Sequence, residues 1–358
     1  MRSYNIAAIP GDGIGTEVIA AGLEVLTALA ARDGGFRIEP THFDWGSERY
    51  LREGAMMPAD GLAQLKPFDA IYFGSAGDPR VPDHITLWGL RLAICQPFDQ
   101  YANVRPARIL PGIDSPLRGV GPGDLDWVIV RENSEGEYSG AGGRVHQDHP
   151  HEVGLDVAVF TRAGVERIQR FALELARSRP RKHLTLVTKS NAQRHGMVMW
   201  DAVFEGIRGD YPDVTTDKML VDAMTTRMVL KPGSIDTVVA TNLHADVLSD
   251  LAAALTGSLG LAPTANLNPE GEYPSMFEPI HGSAFDIMGQ GIANPIGAFW
   301  SASMMLDHLG EARAATALIA AIEQVTGAGR VRPRDLGGEA TTAEVTKAVI
   351  AAIDGANA

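Results

Sequence analysis

The sequence predicts an α/β protein whose first and last parts form one domain. Before Pro295, short apolar runs alternate with segments of helical periodicity, as in proteins whose helices cover a sheet. From Pro295 onward the pattern is almost wholly helical and rich in alanine. Because helices without strands of their own need a sheet made by earlier sequence, we expect the C-terminal part to pack on the N-terminal part around a central insert.

The individual elements follow from the periodicity of apolar residues. The predicted strands are Tyr4 to Ile9, Asp69 to Phe73, Asp126 to Val130, Asp156 to Phe160, Leu184 to Val187, Lys218 to Val221 and Thr237 to Ala240. The predicted helices are about Thr16 to Ala31, Arg162 to Ser178, Ala245 to Ser258, Ile296 to Leu309, Glu311 to Thr326 and Thr342 to Ile353. The polar, glycine-rich segment from Ser139 to Gly154 has two interpretations, a mobile surface loop or an arm that exchanges between subunits.

The composition is that of an ordinary globular protein with a sizeable core. Hydrophobic residues make up 45% and charged residues 21% of the 358 residues, a length that suits one large α/β domain or two lobes. The 44 acidic residues outnumber the 31 lysines and arginines, for a formal net charge of −13. A protein this acidic repels phosphate backbones and anionic membranes, so neither nucleic acid nor a membrane is an expected partner.

Cysteine usage and the lack of long apolar segments indicate the compartment. Cys95 is the only cysteine, which excludes an intrachain disulfide and favours a reducing environment. The N-terminus has too short an apolar run for a signal peptide, and no stretch approaches the roughly 18 apolar residues of a membrane span. We therefore expect a cytoplasmic protein.

Two arginines stand where an anionic substrate could be held. Arg105 lies in YANVRPAR, between a strand-like run and Pro106, and Arg131 follows the apolar strand that opens VRENSEGEY. An arginine fork binds a carboxylate through two hydrogen bonds, and a dicarboxylate needs more than one such clamp. The alternative is that each arginine belongs to a structural ion pair.

A lysine and three aspartates are candidates for proton transfer and metal binding. Lys189 follows the LTLV strand, where burial would help it lose a proton and act as a general base; otherwise it is an exposed loop lysine. Asp246 and Asp250 are spaced i, i+4 on one helix face, and Asp222 follows another strand. Such carboxylates suit magnesium or manganese, unless Asp246 only serves the helix dipole and Asp250 is solvated.

Two segments offer groups for a cofactor. GDGIG, Gly11 to Gly15, follows the first strand, but its spacing does not fit GxGxxG, so a plain tight turn is an equal interpretation. The HGS segment at His281 offers backbone donors for phosphates, and Asp286 suits a ribose diol but repels a 2′-phosphate. His281 alone would be a structural histidine. Since no basic residue stands beside Asp286 in the sequence, we expect NAD to be favoured over NADP by about 10²-fold or more.

Together these segments resemble the β-decarboxylating hydroxyacid dehydrogenases, the isocitrate and isopropylmalate dehydrogenase family. The motifs YANVRP, VRENSEGEY, TKSN, VDAM, NLHADVLSDL, EPIHGSAFDI and GIANP stand in family order between the GDGIG turn and the DLGG segment at Asp335 to Gly338. The segments FDWGSERY, AIYFGSAG, VPDHITLWG and FDQYANVRPARILPG are most similar to the members that act on tartrate and D-malate.

The resemblance implies a two-lobed, isopropylmalate-dehydrogenase-like α/β fold with a sheet shared by the lobes, which is not a Rossmann fold. Residues 1–104 and 257–358 would form the large lobe on the cofactor side, and residues 105–256 the small lobe, with a dimer arm at about 139–154. It also implies a homodimer with shared active sites, in which Lys189 and Asp222 reach the pocket of the other subunit.

The resemblance also implies a role for each candidate residue. Lys189 would take the hydroxyl proton, Tyr138 would act as an acid, and Arg105 and Arg131 would hold the substrate carboxylates. Mg²⁺ or Mn²⁺ would bind Asp222, Asp246 and Asp250. NAD would bind His281, Gly282, Ser283, Ala284, Asp286 and Asn294. The sequence does not decide whether a monovalent cation is a further cofactor.

Three positions depart from the family pattern. Cys95 replaces an arginine that usually stands ten residues before that of YANxRP, and Arg91, one helical turn earlier, is a candidate substitute for binding the substrate. His244-Ala245 alters the usual NLFGD motif beside the metal ligands. Phe285 replaces the proline of HGSAPDI, which would loosen the cofactor loop.

These residues predict NAD-dependent and metal-dependent oxidation of a small 2-hydroxy dicarboxylate, tartrate or D-malate, with β-decarboxylation of suitable products. Isopropylmalate dehydrogenase is an alternative, although Arg91 is costly beside a buried alkyl group unless it is paired. A catalytically silent NAD-binding regulatory relative is the alternative from another class. The loss of the arginine at Cys95 favours it, but the presence of Lys189 and the three aspartates opposes it.

Overall fold

A computed structural model describes residues 1–355. The strands are β1 (Arg2–Gly11), β2 (Phe36–His42), β3 (Ala70–Ser75), β4 (Ala102–Arg108), β5 (Asp126–Glu132), β6 (Gly136–Val145), β7 (Val153–Val159), β8 (His183–Thr188), β9 (Thr215–Leu220), β10 (Thr237–Ala240), β11 (Pro263–Leu267) and β12 (Ser275–Pro279). The α-helices are α1 (Gly15–Asp33), α2 (Ser47–Glu53), α3 (Gly61–Leu65), α4 (Asp83–Thr86), α5 (Leu92–Cys95), α6 (Arg162–Ser178), α7 (Gly196–Ile207), α8 (Val221–Leu230), α9 (Asn242–Leu255), α10 (Ile296–His308), α11 (Ala312–Ala328) and α12 (Thr342–Ile353). A π-helical turn, Leu87–Arg91, joins α4 to α5.

The chain divides into two units, the first of which is discontinuous. Unit 1 consists of Met1–Gln100, Arg108–Gly123 and the residues from Ala253 onward, and unit 2 of Tyr101–Ala107 and Asp124–Ala252. The last three residues of the predicted large lobe lie outside the described residues. No helix in the described part of the chain is both long enough and apolar enough to span a membrane.

Unit 1 is built on strands in the order β2-β1-β3-β12-β11. Neighbouring strands are parallel except for the antiparallel pair of β11 and β12. Residues 6–9 of β1 and 70–73 of β3 are almost completely buried. Burial on both faces is typical of parallel strands covered by helices, and it explains why both strands are continuous apolar runs in the sequence.

The C-terminal helices of unit 1 pack on its N-terminal strands. The hydroxyl of Tyr72, on β3, donates to the carbonyl oxygen of Ala298, on α10, at 2.7 Å. The Cβ of a larger residue at Gly22, on α1, would lie 2.0 Å from the same hydroxyl. Arg2 and Tyr4 of β1 donate to Glu311, just before α11, at 2.7 and 2.9 Å. The late helices are thus fixed to strands that lie far away in sequence.

Unit 2 is built on strands in the order β4-β5-β10-β8-β9. The pairs β5–β10, β10–β8 and β8–β9 are parallel. Because parallel strands end at the same edge of a sheet, the residues that follow β5, β8 and β10 are brought to one edge. These residues come from the sequence segments RENSEGEY, KSN and TNLHAD.

Most of the predicted elements are confirmed. The helices α6 and α12 have the predicted bounds, the strands β1, β5, β8 and β10 contain the predicted ones, and β3 contains all of its predicted strand except Asp69. Val221 was predicted in a strand but opens α8, because the apolar run of β9 continues into the first helical residue. The predicted domain boundary is wrong at residues 108–123, which belong to unit 1. Gly112 fits closely against Thr326, where a Cβ would lie 2.2 Å from the carbonyl oxygen.

The segment from Ser139 to Gly154 is a loop only at residues 146–152, and the rest of it belongs to two strands. β6 and β7 form an antiparallel hairpin, and the exposed side chains of β7 include Val153, Leu155, Val157 and Val159. Glycines at positions 140, 142, 143 and 154 conceal the alternating pattern of the hairpin in the sequence. The apolar residues of β7 are spaced by two, so they lie on one face of the strand.

The GDGIG turn in unit 1 requires glycine for a steric reason. The N–H of Ile14 donates to the carbonyl oxygen of Ser283 at 2.8 Å. Gly13 has a φ of +55°, and a Cβ on it would lie 1.9 Å from that same oxygen. The carboxylate of Asp12 accepts hydrogen bonds from Ser47 and from the N–H of Gly77 at 2.8 Å. The turn therefore packs directly against the HGSA segment and fixes its position.

We predict that Gly13→Ala destabilises the protein more than Gly34→Ala does. Both glycines have positive φ, but a Cβ at Gly34 would meet nothing within 4 Å. Gly34→Ala should therefore cost about 1 kcal/mol of backbone strain, whereas Gly13→Ala adds a collision with the backbone, for a total of about 3 kcal/mol or more. Urea unfolding midpoints measure the difference, and equal shifts would contradict the close approach of Gly13 to Ser283.

Candidate active site

Two buried arginines of unit 2 converge on one carboxylate. Arg105, on β4, donates from Nη1 to Oδ1 of Asp246 at 3.2 Å and to Oγ of Ser249 at 2.6 Å. Arg131, on β5, also binds Oδ1 of Asp246, and its Nε donates to Oδ1 of Asn242 at 2.9 Å. Arg105 is 6% and Arg131 is 2% exposed. The site thus contains two fixed guanidinium groups, the geometry that favours bidentate binding of an anion.

Tyr138, at the start of the hairpin, belongs to the same cluster. Its hydroxyl donates to Oδ2 of Asp246 at 3.4 Å. The guanidinium carbon of Arg131 lies 5.2 Å from the centre of its ring, within the range of a cation–π contact. The structure therefore brings together four of the residues selected from the sequence: Arg105, Arg131, Tyr138 and Asp246.

Three supporting residues of this cluster were not selected from the sequence. Asn242 and Ser249 lie on α9, and Asn103 on β4 accepts from Nε of Arg105 at 3.0 Å. Ser249 follows Asp246 by three residues, so it shares the helix face of the aspartate. The i, i+3 spacing was the available signal, but a serine on a helix is seldom functional by itself.

Asp250 follows Asp246 by about one turn of α9. Partial burial, and after it the charge of Asp246, raise the pKa of the Asp250 carboxyl above its ordinary value. Burial is the larger cause of this rise, and the like charge of Asp246 adds to it, because two neighbouring carboxylates disfavour each other's ionised form. A bound divalent cation would remove this repulsion, and carboxylate oxygens are the ligands that Mg²⁺ and Mn²⁺ prefer. The pair Asp246 and Asp250 therefore fits such an ion.

Asp222 does not join that pair. Within residues 1–355 no group of three acidic, histidine or cysteine side chains is arranged to hold a metal ion. Asp222 lies in the first turn of α8 and accepts from Nζ of Lys189 at 2.6 Å. This hydrogen bond lowers the pKa of Asp222. Lys189 is thus half-buried and paired with an exposed carboxylate, a position between the buried base and the exposed loop lysine that the sequence offered as alternatives.

The departure from the family motif at His244-Ala245 has different consequences at its two positions. Ala245 is fully buried, and its N–H donates to the carbonyl oxygen of Thr241 at 2.9 Å, within the first turn of α9. His244 is half-buried, and burial lowers its pKa, which keeps the imidazole neutral at neutral pH. The altered motif therefore adds no positive charge beside Asp246.

Unit 1 contains a cavity of about 410 Å³ beside the HGSA segment. Its apolar walls include Ile14, Leu259, Ile287 and Ile292, and its polar lining consists of Ser258, His281, Asn294, Arg334 and Asp335. The volume is that of a small-molecule pocket, and mostly apolar walls with a few polar groups are typical of such sites. Two of the residues selected for cofactor binding, His281 and Asn294, line it.

The imidazole of His281 has an unused polar atom. Its Nδ1 contacts the carbonyl oxygen of Gly282 at 3.0 Å, whereas Nε2 is buried and has no hydrogen-bond partner among residues 1–355. Burial lowers the pKa of His281, so the ring is neutral at neutral pH. A buried nitrogen without a partner is costly unless a ligand or water satisfies it, so this cavity fits a ligand with hydrogen-bonding groups, such as an adenosine.

Asp286 was predicted to bind the cofactor but does not line this cavity, whereas two other charged residues, Arg334 and Asp335, do. Asp286 is exposed, and it is not among the residues that line the cavity. Asp335 accepts from Oγ of Ser258 at 2.5 Å and from Nδ2 of Asn294 at 2.9 Å, and Arg334 stands next to it. Arg334, a basic residue from a segment far along the chain, thus lines the same cavity as His281 and Asn294.

Arg91 lies in the interior of unit 1. It is 9% exposed, and its guanidinium binds Oε1 of Glu278, on β12, at 2.8 Å. Its Nη2 also donates to Oδ1 of Asn266 at 3.1 Å, and Nδ2 of Asn266 donates to the same Glu278 oxygen at 2.7 Å. Cys95, one turn later, is 1% exposed in the apolar core. Arg91 thus has a buried acidic partner, and pairing reduces the cost of placing it near an alkyl group.

The sequence matches the model of a known enzyme family. The family model of isocitrate/isopropylmalate dehydrogenase matches residues 5–349, so the chain belongs to that family of oxidoreductases, and the predicted fold class is confirmed. The chain is 69% identical over 357 residues to a protein of Agrobacterium vitis named probable tartrate dehydrogenase/decarboxylase, covering 100% of this chain and 99% of that protein.

Two further relatives extend the comparison. D-malate dehydrogenase [decarboxylating] of Escherichia coli is 51% identical over 356 residues, which cover 98% of both chains. The crystal structure of isocitrate dehydrogenase from Methylococcus capsulatus is 32% identical, with a TM-score of 0.88 over 98% of this chain and 99% of that one. The resemblance inferred from the motifs is thereby confirmed.

We predict that Arg91→Leu destabilises the protein by about 3–5 kcal/mol, because it leaves the buried carboxylate of Glu278 without its cation. The double variant Arg91→Leu/Glu278→Gln should recover much of this loss, since it removes the charge as well. Arg313→Leu is the matched control: its pair with Asp33 is exposed and should contribute at most about 1 kcal/mol. Urea unfolding measures the stability of all three variants. If Arg91→Leu were no less stable than Arg313→Leu, the importance of the buried Arg91–Glu278 pair would be contradicted.

Proposed function

We propose that this protein is an NAD-dependent, divalent-metal-dependent dehydrogenase that oxidises a small 2-hydroxy dicarboxylate, tartrate or D-malate, and decarboxylates suitable products. The observation that carries the proposal is the convergence of Arg105 and Arg131 on Asp246. Two buried guanidiniums beside a pair of carboxylates form a site for an anion together with a cation. The names of the relatives from Agrobacterium vitis and Escherichia coli agree with this substrate class.

Arg105 and Arg131 bind the substrate carboxylates in this proposal. Without substrate the two guanidiniums are compensated by Asp246, so neither is an unpaired buried charge. If the oxygens of Asp246 held a cation, donors of both arginines would be available to the carboxylate oxygens of the substrate. The same side chains thus hold the site together in its empty state and bind the substrate in its loaded state.

Asp246 and Asp250 are the metal ligands that one subunit contributes, and the partner subunit's Asp222 completes the set. Because Asp222 does not group with the other two within one chain, a third carboxylate has to come from outside it. The bound Mg²⁺ or Mn²⁺ would supply Lewis acidity toward the hydroxyl and the adjacent carboxylate of the substrate. His244 is neutral and leaves the charge of this ligand set unchanged.

The partner subunit's Lys189 takes the proton of the substrate hydroxyl, and Tyr138 returns a proton after loss of carbon dioxide. For this role Lys189 would exchange its hydrogen bond with Asp222 for one with the hydroxyl, and Asp222 would serve as a metal ligand instead. Tyr138 is held beside Arg131 and Asp246, where it can donate to a substrate atom bound by the same groups. His281 and Asn294 would hold the adenosine of NAD in the cavity that they line, and the bound cofactor would supply a hydride acceptor.

Shared sites require a dimer, and the hairpin of unit 2 offers the surface for one. The residues Val153, Leu155, Val157 and Val159 of β7 are between 37% and 59% exposed. An apolar strand face of this length is unfavourable in water and is suited to pairing with a second copy of the same hairpin. The expected partner is therefore an identical subunit.

Arg91 does not decide the substrate. Its charge is paired with Glu278, so it does not make an isopropyl group nearby costly. Arg91 is therefore no longer evidence against isopropylmalate as the substrate. The preference for tartrate or D-malate rests instead on the arginine cluster and on the relatives.

The experiment that tests the proposed function is a substrate panel with NAD and Mg²⁺ or Mn²⁺. It compares the tartrate stereoisomers, D-malate, isocitrate and isopropylmalate, and we expect NADH formation from tartrate or D-malate. Asp246→Asn should reduce kcat by about 10²-fold or more, as expected for loss of a metal ligand, and should weaken binding of Mn²⁺ in parallel. Activity that persists in excess chelator, or a preference for isopropylmalate, would refute the proposal.

Shared active sites predict complementation between two inactive variants. Lys189→Ala and Asp246→Asn each disable both sites of a homodimer. In a mixed dimer one site combines an intact Lys189 with an intact Asp246, and the other site combines both defects. Unfolding and refolding an equimolar mixture should therefore restore about a quarter of the wild-type activity, by random pairing of subunits in a symmetric dimer. A mixture as inactive as its components would show that Lys189 and Asp246 serve a site within the same chain.

A further inference from the structure

The loop at the tip of the unit 2 hairpin carries three histidines. Residues 146–152, HQDHPHE, join β6 to β7, and His146, His149 and His151 are all exposed. The ring centres of His149 and His151 lie 5.2 Å apart, and those of His146 and His149 lie 6.5 Å apart. Because imidazole is the commonest metal ligand among side chains, rings this close to one another are candidates for holding one metal ion.

The spacing of these rings can be compared with that of two imidazoles on one metal ion. With a zinc–nitrogen distance of about 2.1 Å, two ring centres are about 5.2 Å apart at a tetrahedral angle, and at most about 6.4 Å apart on opposite sides of the ion. His149 and His151 therefore have the spacing of a shared ion, whereas His146 stands too far from His149 to join it. Two ligands agree with the absence, within residues 1–355, of a group of three side chains arranged to hold a metal.

The backbone of the loop holds this pair of rings in place. Pro150 stands between the two histidines, and its ring restricts φ at that position. The N–H of His149 donates to the carbonyl oxygen of His146 at 3.1 Å, and the N–H of Glu152 donates to that of His149 at 2.9 Å. The pair is therefore organised before an ion arrives, which lowers the entropic cost of binding.

The surroundings of the pair favour a cation. The loop contains two acidic residues, Asp148 and Glu152, and no lysine or arginine. Glu152 is paired with Arg144 at 2.6 Å, so Asp148 is the acid that stands next to His149. The N–H of His151 approaches Nδ1 of His149 at 3.4 Å, a hydrogen bond that is long and weak. A metal ion can replace this contact at little cost.

We propose that His149 and His151 bind a divalent transition metal ion such as Zn²⁺, with water completing its coordination. Imidazole nitrogens suit zinc, nickel and copper, whereas Mg²⁺ and Mn²⁺ prefer carboxylate oxygens. The loop also lies about 25 Å along the hairpin from Tyr138. The site is therefore separate, in position and in choice of metal, from the pair Asp246 and Asp250. An ion bound on both sides of Pro150 restrains the tip of the hairpin.

The test is calorimetric titration of the tag-free protein with Zn²⁺ in excess Mg²⁺. It compares the wild type, His149→Ala and His151→Ala with two matched controls, His146→Ala in the same loop and His42→Ala at an exposed histidine of unit 1. His149→Ala and His151→Ala should each weaken the zinc site by about tenfold or more, because losing a ligand costs at least as much as losing a group that orients one. The controls should change it by less than about twofold.

Asp246→Asn separates this site from the proposed catalytic site, and it should retain the zinc site that depends on His149. Zinc binding that is lost in Asp246→Asn and kept in His149→Ala would place the ion at the carboxylates and overturn the proposal. Equal binding by all variants would show an adventitious ion only, and no zinc binding by the wild type would show no site. Weakening in His146→Ala as large as in His149→Ala would exclude the two-histidine arrangement. None of these results bears on the proposed function, which the substrate panel tests.

Discussion

The shared hydrogen bonding of two guanidiniums to Asp246 is the constraint on which the candidate site depends. Arg105 and Arg131 are almost fully buried, and two buried cations without an anion would cost several kcal/mol each. Asp246 compensates both, while Asn103, Asn242 and Ser249 accept further hydrogen bonds from them. This network orients the arginines before any ligand arrives, so that binding does not require them to be ordered at that moment.

Unit 1 uses buried carboxylates for a different purpose, the fixing of loops. Asp12 holds Ser47 and Gly77, and Glu17 accepts from the N–H groups of Gly291 and Ala293 at 3.2 and 3.0 Å. Each of these carboxylates satisfies backbone donors that come from distant segments. Hydrogen bonds from N–H groups to a charged acceptor are stronger than neutral ones, so a few acids can fix the irregular segments around the cavity.

The two units therefore divide the chemistry of the protein. Unit 2 carries the charged side chains that suit an anionic substrate and a cation, and unit 1 carries a mostly apolar cavity that suits a cofactor. The pair of Lys189 and Asp222 is complete within one chain but does not join Asp246 and Asp250 there. This incompleteness is the physical reason for proposing that a second subunit contributes to each site.

The fold class, most strands and helices, and the residues of the arginine and aspartate cluster could be predicted from the sequence by itself. Periodicity shows which faces are buried, strand ends show where polar groups gather, and an i, i+4 spacing places Asp246 and Asp250 on one face. The glycines of the hairpin conceal its alternating pattern in the sequence. The assignment of residues 108–123 to unit 1 depends on contacts with residues far along the chain, which the sequence does not show. Only the tertiary structure decided the partners of charged groups: Glu278 for Arg91, Asp222 for Lys189, and the placement of Arg334 at the cavity. Charged groups pair through space over a few ångströms. Arg91 and Glu278 are separated by 187 positions in the sequence, so no local sequence pattern indicates that they form a pair.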